Sequence, residues 1–514
     1  MSRRGQLDRL GRLPLAHRAP RRIELHPGHG TRVPGGGGVL HYLDIGDYLS
    51  RNEKLQILAD SLPTAERPSL RSLRWETLSS NIHGDWINQR TESFAAHLPT
   101  TAEDGGPSVF ELRSLGLATG RDAWNYNSSR TALDANVTRM TEAYNAAADA
   151  YDALKPTPAG NMTDRAKRAE AAIKRDPRAF SWNRNAFTDV ARGSRYSAED
   201  RMVMRSSYRP FHPRWVEAGR RFNAMTYRLP RLFPSPDAAN LVITVPTLGA
   251  RSDFATCTTA ALPDLHLWPD GTICFPLYIY ADQDDTPGFF ARLTQKGGLR
   301  QNITDHALDL YRSLDTAIEK DDDVFFYVYG ILHSPDYRTA FAADLKKSLP
   351  RIPQVETAVK FWAFSRAGRE LAELHTDYES VDIWPELKLV FAAGFDEQHA
   401  DAYRVLKMKH PKLTDSASGT KVDDRTRIVY NDWITVDDIP ERAYDYELGS
   451  RSAIAWVMDS WRVRTDKASG IMNDPNAWAI EHDDPTYILD LVGRVVTVSL
   501  RTLDIVESLP TLSL

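Results

Sequence analysis

The chain has 514 residues and a net charge of −5, with 42% hydrophobic and 26% charged residues. These values are ordinary for a globular protein, and the length is enough for two or three domains. No apolar run approaches the roughly 18 residues of a membrane span, and the arginine-rich start lacks the apolar core of a signal peptide. The two cysteines, Cys257 and Cys274, form neither a disulfide framework nor a zinc site by themselves. We therefore expect a cytoplasmic protein without membrane segments.

Charge is distributed unevenly along the chain. The segment from Arg165 to Arg228, called the basic segment below, holds 16 lysines and arginines against 6 acidic residues, a local charge of +10. The rest of the chain therefore carries −15. Such asymmetry is expected when an otherwise acidic protein presents one face to a polyanion.

The basic segment contains four candidate DNA-binding residues, which are Arg195, Arg205, Arg209 and Arg214. Arginine suits phosphate and guanine because its planar fork donates two parallel hydrogen bonds. Aromatic residues are interleaved with these cations along the segment. The alternative is a solvated basic face with the aromatic side chains buried beneath it, and the sequence leaves both interpretations open.

The first half of the chain predicts a sharp change of structure. Residues 1–37 are rich in Arg, Pro and Gly without periodicity, which predicts disorder. An amphipathic helix is predicted over residues 129–154, and the proline-rich run at 156–160 ends it. Its buried face is expected to carry Leu133, Val137, Met140 and Tyr144.

The middle of the chain alternates between strand and helix patterns. Short β-rich runs lie at 241–246 and 273–280, and Thr304 is placed to cap a helix. The run Val324–Tyr329 is apolar throughout, so it is either a central strand or the start of a buried helix. A last helix is predicted over residues 487–508.

Near the C-terminus, the stretch Tyr446–Trp478 combines a helix with a polar loop. Ile454, Val457 and Trp461 recur at helical spacing, and Ser450 is placed to cap the helix. Loops on rigid scaffolds often carry recognition residues, and three candidates for DNA contact lie here, namely Arg464, Lys467 and Asn473. The alternative is a well-capped structural helix followed by an ordinary loop.

Five motifs occur along the chain in a fixed order: Tyr42–Leu49, His83–Arg90, Arg121–Asn127, Tyr327–Pro335 and Tyr446–Trp478. Together they resemble Type ISP restriction-modification enzymes, which are single-chain DNA translocase, nuclease and methyltransferase proteins. The last stretch resembles the C-terminal specificity region of that family. The resemblance covers residues 38–510.

The resemblance implies a mixed α/β (α+β) fold. A DNA target-recognition domain of mixed sheets and packed helices would span residues 156–514. A remnant of a methyltransferase-like α/β domain, with a connecting helix, would span residues 38–155, after the disordered residues 1–37. The implied function is sequence-specific recognition of double-stranded DNA within an adenine methyltransferase and nuclease system.

The residues of adenine methylation are missing from this sequence. No Asn-Pro-Pro-Tyr or Asp-Pro-Pro-Tyr tetrapeptide occurs, although such a tetrapeptide holds the target amine and stacks the flipped base. We therefore expect this chain to bind no cofactor and to be non-catalytic alone, with S-adenosylmethionine implied only for the holoenzyme. Whether a separate chain supplies a methyltransferase/translocase core is left open.

Two other interpretations remain at this point. The chain is a catalytic subunit, either a degenerate methyltransferase or a nuclease, or it is a truncated fragment without function. The run Asp382–Lys388 matches half of a metal-dependent nuclease motif. That motif needs a second carboxylate on a neighbouring strand to hold Mg²⁺, and we predict no metal ligands.

Overall fold

A computed structural model of the protein describes residues 23–24, 40–43, 51–61, 76–81, 84–87, 89–102, 104–156, 159–281, 299–319, 322–414 and 419–514. The predicted disordered N-terminus, residues 1–37, lies outside the described residues except for the strand Ile23–Glu24. The chain divides into two compact units, Met1–Phe94 and Ala95–Leu514.

The described residues of the first unit include a small antiparallel sheet and an α-helix. Strands β1 (Ile23–Glu24), β2 (Leu40–Leu43) and β3 (Glu76–Leu78) pair in that order, and α1 spans Arg51–Ser61. Leu40 and Tyr42 are buried, while the intervening His41 is exposed. This alternation is the pattern of a strand with one buried face.

The second unit contains the remaining elements. Its helices are α2 (Asp122–Asn125), α3 (Arg130–Ala153), α4 (Met162–Ala172), α5 (Arg184–Ala191), α6 (Asp305–Arg312), α7 (Asp323–His333), α8 (Pro335–Ala340), α9 (Ala342–Leu345), α10 (Ala358–Thr376), α11 (Ala453–Ser460), α12 (Asn476–Glu481) and α13 (Tyr487–Glu507). Its strands are β4 (Leu98–Pro99), β5 (Ser114–Leu115), β6 (Tyr126–Asn127), β7 (Val203–Arg209), β8 (His212–Glu217), β9 (Val242–Pro246), β10 (Cys257–Thr259), β11 (Leu262–Pro263), β12 (Thr272–Pro276), β13 (Tyr278–Ile279), β14 (Arg300–Gln301), β15 (Arg351–Ile352), β16 (Lys388–Phe391), β17 (Lys412–Thr414), β18 (Lys421–Asp423), β19 (Ile428–Val429), β20 (Ile434–Asp437), β21 (Glu447–Leu448), β22 (Arg451–Ser452), β23 (Arg464–Thr465) and β24 (Met472–Asn473).

Two four-stranded sheets share one apolar core. The first has the antiparallel order β10–β9–β12–β5. The second has the order β11–β7–β8–β6, with β11 parallel to β7 and the other pairs antiparallel. Their common core includes Tyr126, Met204, Val216, Val242, Leu262 and Cys274. The mixed α/β class predicted from the sequence is confirmed.

A helical layer covers part of the second sheet. Helix α3 begins after Ser129, whose hydroxyl accepts from the Ala132 backbone N–H. As predicted, it buries a face that carries Leu133, Val137, Met140 and Tyr144. That face packs on α4, α5 and the aromatic residues Phe180, Phe187, Tyr196 and Phe222. The aromatic residues of the basic segment are thus largely core. The predicted boundaries at residues 37 and 155 stay predictions, and the core of α3 continues across residue 155.

The ambiguous run Val324–Tyr329 is helical and lies within α7. Helices α7 and α10 cross in close contact at Gly330 and Gly368. A Cβ atom on Gly368 would lie 1.9 Å from the carbonyl oxygen of Phe326. Every residue from Val324 to His333 is buried, which explains why the sequence shows no periodicity there.

Helix α11 begins two residues later than the predicted cap implied. Ser452, and not Ser450, is the N-cap, because its hydroxyl accepts from the Ala455 backbone N–H at 3.2 Å. Ser450 lies instead in the turn of the β21–β22 hairpin, beside Gly449 with φ +73°. Among the described residues, no helix is long and apolar enough to cross a membrane.

Candidate nucleic-acid interface

The β7–β8 hairpin carries the densest part of the basic segment. Arg205 is paired with Trp215 and Ser206 with Arg214 across the two strands. The hairpin turns at Pro210 and Phe211, where Phe211 has φ +55°. The Trp461 indole N–H donates to the carbonyl of Phe211 at 2.9 Å. The end of the hairpin is therefore held by the residue that follows α11.

Two of the predicted DNA-binding arginines are paired with carboxylates. Arg205 forms an ion pair with Glu379, which also accepts from the Tyr487 hydroxyl. Arg209 donates to Asp264 at 2.8 Å, and the Asp264 side chain is only 2% exposed. Burial raises the pKa of Asp264 to about 6, although the Arg209 guanidinium acts to lower it. Both arginines thus hold the hairpin to other elements, and their contact with DNA stays a prediction.

Arg214 differs from its neighbours because it is buried without a carboxylate partner. It is 8% exposed, and its buried Nε atom has no hydrogen-bond partner among the described residues. Its guanidinium lies 4.2 Å from the centre of the Tyr208 ring, and that of Arg209 lies 3.9 Å from the same ring. Burial and the charge of Arg209 lower the pKa of Arg214 to about 10. The charges of Tyr208 and Asp122 act in the opposite direction. A buried cation that forms no ion pair costs stability, so such groups tend to mark binding sites.

Arg464, from the C-terminal loop, lies beside this site. Its charge lowers the pKa of both Arg214 and His212, after the larger effect of burial on each. The structure therefore brings together Arg209, Arg214 and Arg464, three candidates from two distant stretches of sequence. This group is called the arginine cluster below.

The Asp459 carboxylate pairs with Arg464 of the arginine cluster and with two further arginines. Asp459 lies 2.8 Å from Arg451, 3.1 Å from Arg462 and 3.3 Å from Arg464. Three guanidinium groups share one negative charge, which leaves a positive excess at a partly exposed position. Sequence analysis missed Arg451, Arg462 and Asp459. The spacing of three residues between Asp459 and Arg462 was a signal that could have found this pair.

Two other predicted residues make internal contacts. Arg195 donates to Asp149 and Asp152 of α3, both at 2.7 Å. The Asn473 side-chain oxygen accepts from the Ser128 backbone N–H at 3.0 Å and holds the C-terminal loop against the start of α3. These contacts tie elements together, and a DNA contact by either residue stays a prediction.

Lys467 and several cations of the basic segment are exposed to solvent. Lys467 lies exposed in the turn between β23 and β24. Within the basic segment, exposed cations without a carboxylate partner among the described residues are Lys167, Lys174, Arg178, Arg184, Arg220 and Arg228. Some of the other arginines in the segment are neutralised by carboxylates from outside it. These carboxylates are Asp134, Asp149, Asp152, Asp264 and Glu379. The local excess of +10 in the sequence therefore overstates the free charge of this face.

The described residues contain no group of three His, Cys, Asp or Glu side chains placed to hold a metal ion. The two cysteines are free thiols, and burial raises the pKa of Cys257 to about 12.

Comparisons with known proteins identify the family. The model of the Type ISP C-terminal specificity domain matches residues 108–491. Comparison with curated proteins gives no match.

Similar solved structures include a nuclease-deletion mutant of the Type ISP restriction-modification enzyme LlaGI with a DNA substrate mimic. It is 34% identical with a TM-score of 0.75, over 92% of this chain and 39% of that one. The ATP-dependent Type ISP enzyme LlaBIII bound to DNA is 31% identical with a TM-score of 0.75, over 93% and 28% of the two chains. A DrdV–DNA complex is 26% identical with a TM-score of 0.72, over 92% and 43%.

This chain thus spans well under half the length of each of these solved chains, which match it over more than nine-tenths of its own length. The resemblance found in the sequence motifs is confirmed by the family model, which covers most of the second unit. The chain belongs to the Type ISP C-terminal specificity domain family.

Proposed function

We propose that this chain recognises a specific sequence in double-stranded DNA, as the specificity part of a Type ISP-like adenine methyltransferase and nuclease system. The observation that carries the proposal is the match over nearly the whole chain to enzymes whose solved structures contain DNA. The arginine cluster adds independent support, because Arg214 is a buried cation that forms no ion pair among the described residues, although the charge of Asp122 acts in its favour. Such a group gains most when an anion approaches.

The geometry suggests two kinds of contact with DNA, one to phosphates and one to bases. Exposed cations of the basic segment, such as Lys167 on α4 and Arg184 on α5, are suited to phosphates. Phosphate contacts set affinity and orientation without reading sequence. The arginine cluster combines the planar forks of Arg209 and Arg214, from the β7–β8 hairpin, with that of Arg464 from the C-terminal loop. Bidentate contacts from such forks to guanine discriminate between bases. The competing interpretation, a catalytic subunit, is not favoured by the family match.

We further propose that the chain binds no cofactor of its own. The missing tetrapeptide supports this, and S-adenosylmethionine would serve a methyltransferase/translocase core on a separate chain or elsewhere in the holoenzyme. A cytoplasmic location is supported by the two free thiols, Cys257 and Cys274. Calorimetry that gives stoichiometric heat with S-adenosylmethionine would overturn the cofactor proposal.

We expect the chain to bind duplex DNA with an affinity that falls steeply with salt. Each phosphate contact should contribute about −0.9 to the slope of log affinity against log salt. Fluorescence anisotropy with a labelled random-sequence duplex, between 50 and 300 mM salt, measures this slope. A slope near zero, or no binding at micromolar protein and low salt, would contradict the proposed function.

A further inference from the structure

A two-stranded ribbon projects from the second unit, far in sequence from the basic segment. It consists of β17 and β18, paired in the register Lys412 to Asp423, Leu413 to Val422 and Thr414 to Lys421. All six residues are exposed. Isolated two-stranded hairpins are only marginally stable in water, so a ribbon whose six strand residues are all exposed is a candidate for a binding element.

The base of the ribbon is firmly anchored. The backbone N–H of Asp424 donates to the carbonyl of Pro411 at 2.9 Å. Lys409 and Val429 continue the pairing toward the sheet β16–β20–β19. Ile428 and Ile434 of that sheet are buried. Exposed strands on an anchored base can enter a groove without a large loss of conformational entropy.

The ribbon and its base are strongly basic. Residues 404–427 hold seven lysines and arginines against three aspartates, a net charge of +4. Lys412 pairs with Asp423 at 2.7 Å. The exposed cations with no carboxylate partner in the described parts of the chain are Lys407, Lys409 and Lys421. The charge suits a polyanion and disfavours a second copy of the same ribbon.

One face of the ribbon is apolar. Leu413 is 51% exposed and its cross-strand neighbour Val422 is 43% exposed. Because side chains alternate along a strand, this pair lies opposite the face that carries Lys412 and Lys421. An exposed apolar pair on a basic ribbon suits a DNA groove, where phosphates line the edges and thymine methyl groups lie within.

The ribbon also continues the surface described above. The backbone N–H of Val463 donates to the carbonyl of Leu406 at 3.1 Å, and the Val405 N–H donates to the Asn476 side chain at 2.9 Å. The segment that leads into the ribbon is thus bonded to the loop that carries Arg464 and to the start of α12. The free lysines therefore extend the positive surface that begins at the arginine cluster.

We propose that the ribbon of β17 and β18 enters the major groove of duplex DNA. The major groove accepts a two-stranded β-ribbon in width. Lys409 and Lys421 contact phosphates at the groove edges, and Leu413 and Val422 contact base edges. This inference rests on the proposed function, since it names a second element that the same DNA would touch.

The charge contribution is tested with the double variant Lys409→Ala/Lys421→Ala. We expect the slope of log affinity against log salt to become shallower by up to about 1.8 units, because two phosphate contacts are lost. The matched control is Lys155→Ala/Arg366→Ala, which removes the same charge from exposed positions, one just after α3 and one on α10. Equal slopes for the ribbon variant and the control would overturn the proposal, while the wild-type slope still reports on the proposed function.

The apolar pair is tested with Leu413→Ser/Val422→Ser. Duplexes enriched from a random pool by the wild-type chain should bind this variant about tenfold more weakly, with random duplexes nearly unaffected. Circular dichroism checks that the fold is retained. An unchanged preference for the enriched duplex overturns the groove contact. Loss of a wild-type dimer in size-exclusion chromatography, with DNA binding intact, would overturn it also and assign the pair to self-association.

Discussion

Replacing Arg214 with methionine is expected to stabilise the free protein and to weaken its binding to DNA. Burial and neighbouring cations lower the pKa of Arg214 to about 10, so the folded protein holds this proton less tightly than the unfolded chain. The charged form at neutral pH therefore opposes folding. Removing it should raise the free energy of unfolding by about 1–2 kcal/mol. The loss of its contact should weaken binding to an enriched duplex by about 1–3 kcal/mol.

The matched control is Arg209→Met on the same hairpin. Arg209 is paired with the buried Asp264, and breaking a buried ion pair from one side typically costs about 3–5 kcal/mol. The two variants should thus change stability in opposite directions. Denaturant unfolding and anisotropy titration of both variants measure this. If Arg214→Met lowers stability and leaves DNA affinity unchanged, Arg214 is a structural residue and the cluster is not a binding site.

Lowering the pH from 7.5 to 5.5 is expected to destabilise the second unit by about 3 kcal/mol. Three buried histidines carry the effect, namely His212, His333 and His375. Burial lowers the pKa of each, to about 3 for His375. Neighbouring arginines add to the shift, since Arg338 acts on His333 and His375, and Arg214 acts on His212.

The sign follows from where each histidine binds its proton. In the unfolded chain a histidine has a pKa of about 6.5 and gains a proton as the pH falls below that value. In the folded protein the three stay neutral, so acid favours the unfolded chain and stability is complete only above pH 6.5. The raised pKa of Asp264, about 6, offsets a part of the loss, since it favours the folded state in acid.

Denaturant unfolding at several pH values tests this expectation. His375 is held by Tyr329 at 2.6 Å and Thr502 at 2.9 Å, so its replacement would disturb other contacts. His212 has no hydrogen-bond partner for either ring nitrogen among the described residues. His212→Leu should therefore reduce the pH dependence by about one third, one of three equal contributions. Stability that does not change between pH 7.5 and 5.5 would show that these histidines are not held neutral.

Periodicity and capping predicted the helices well where the pattern was strong. Helix α3 buries the face that its spacing indicated, and Thr304 caps α6 as expected. The run Val324–Tyr329 could not be assigned because a segment buried on all sides has no periodicity. The N-cap of α11 was assigned to Ser450 instead of Ser452 because the sequence does not distinguish two serines so close together. Only the β21–β22 hairpin makes Ser450 part of a turn.

The candidate site was less predictable than the fold. A charge count found Arg214 and Arg464 separately, but nothing in the sequence shows that the two meet. The sequence also does not show that Arg205 and Arg209 are paired with carboxylates 174 and 55 positions away. Pairing across such distances is set by tertiary packing, and it decides which cations remain free. The β17–β18 ribbon was not predicted from the sequence because its net charge is moderate. Its exposure depends on the fold and cannot be read from the sequence.

Sequence preference is the most direct test of the central claim, which is that this chain recognises a specific DNA sequence. The wild-type chain is used to enrich duplexes from a random pool, and the affinity of an enriched duplex is then compared with a scrambled duplex of the same composition. The account predicts one enriched sequence, bound about a thousandfold or more tightly than the scrambled control at 150 mM salt. No enrichment, with a ratio of affinities near one, would contradict it.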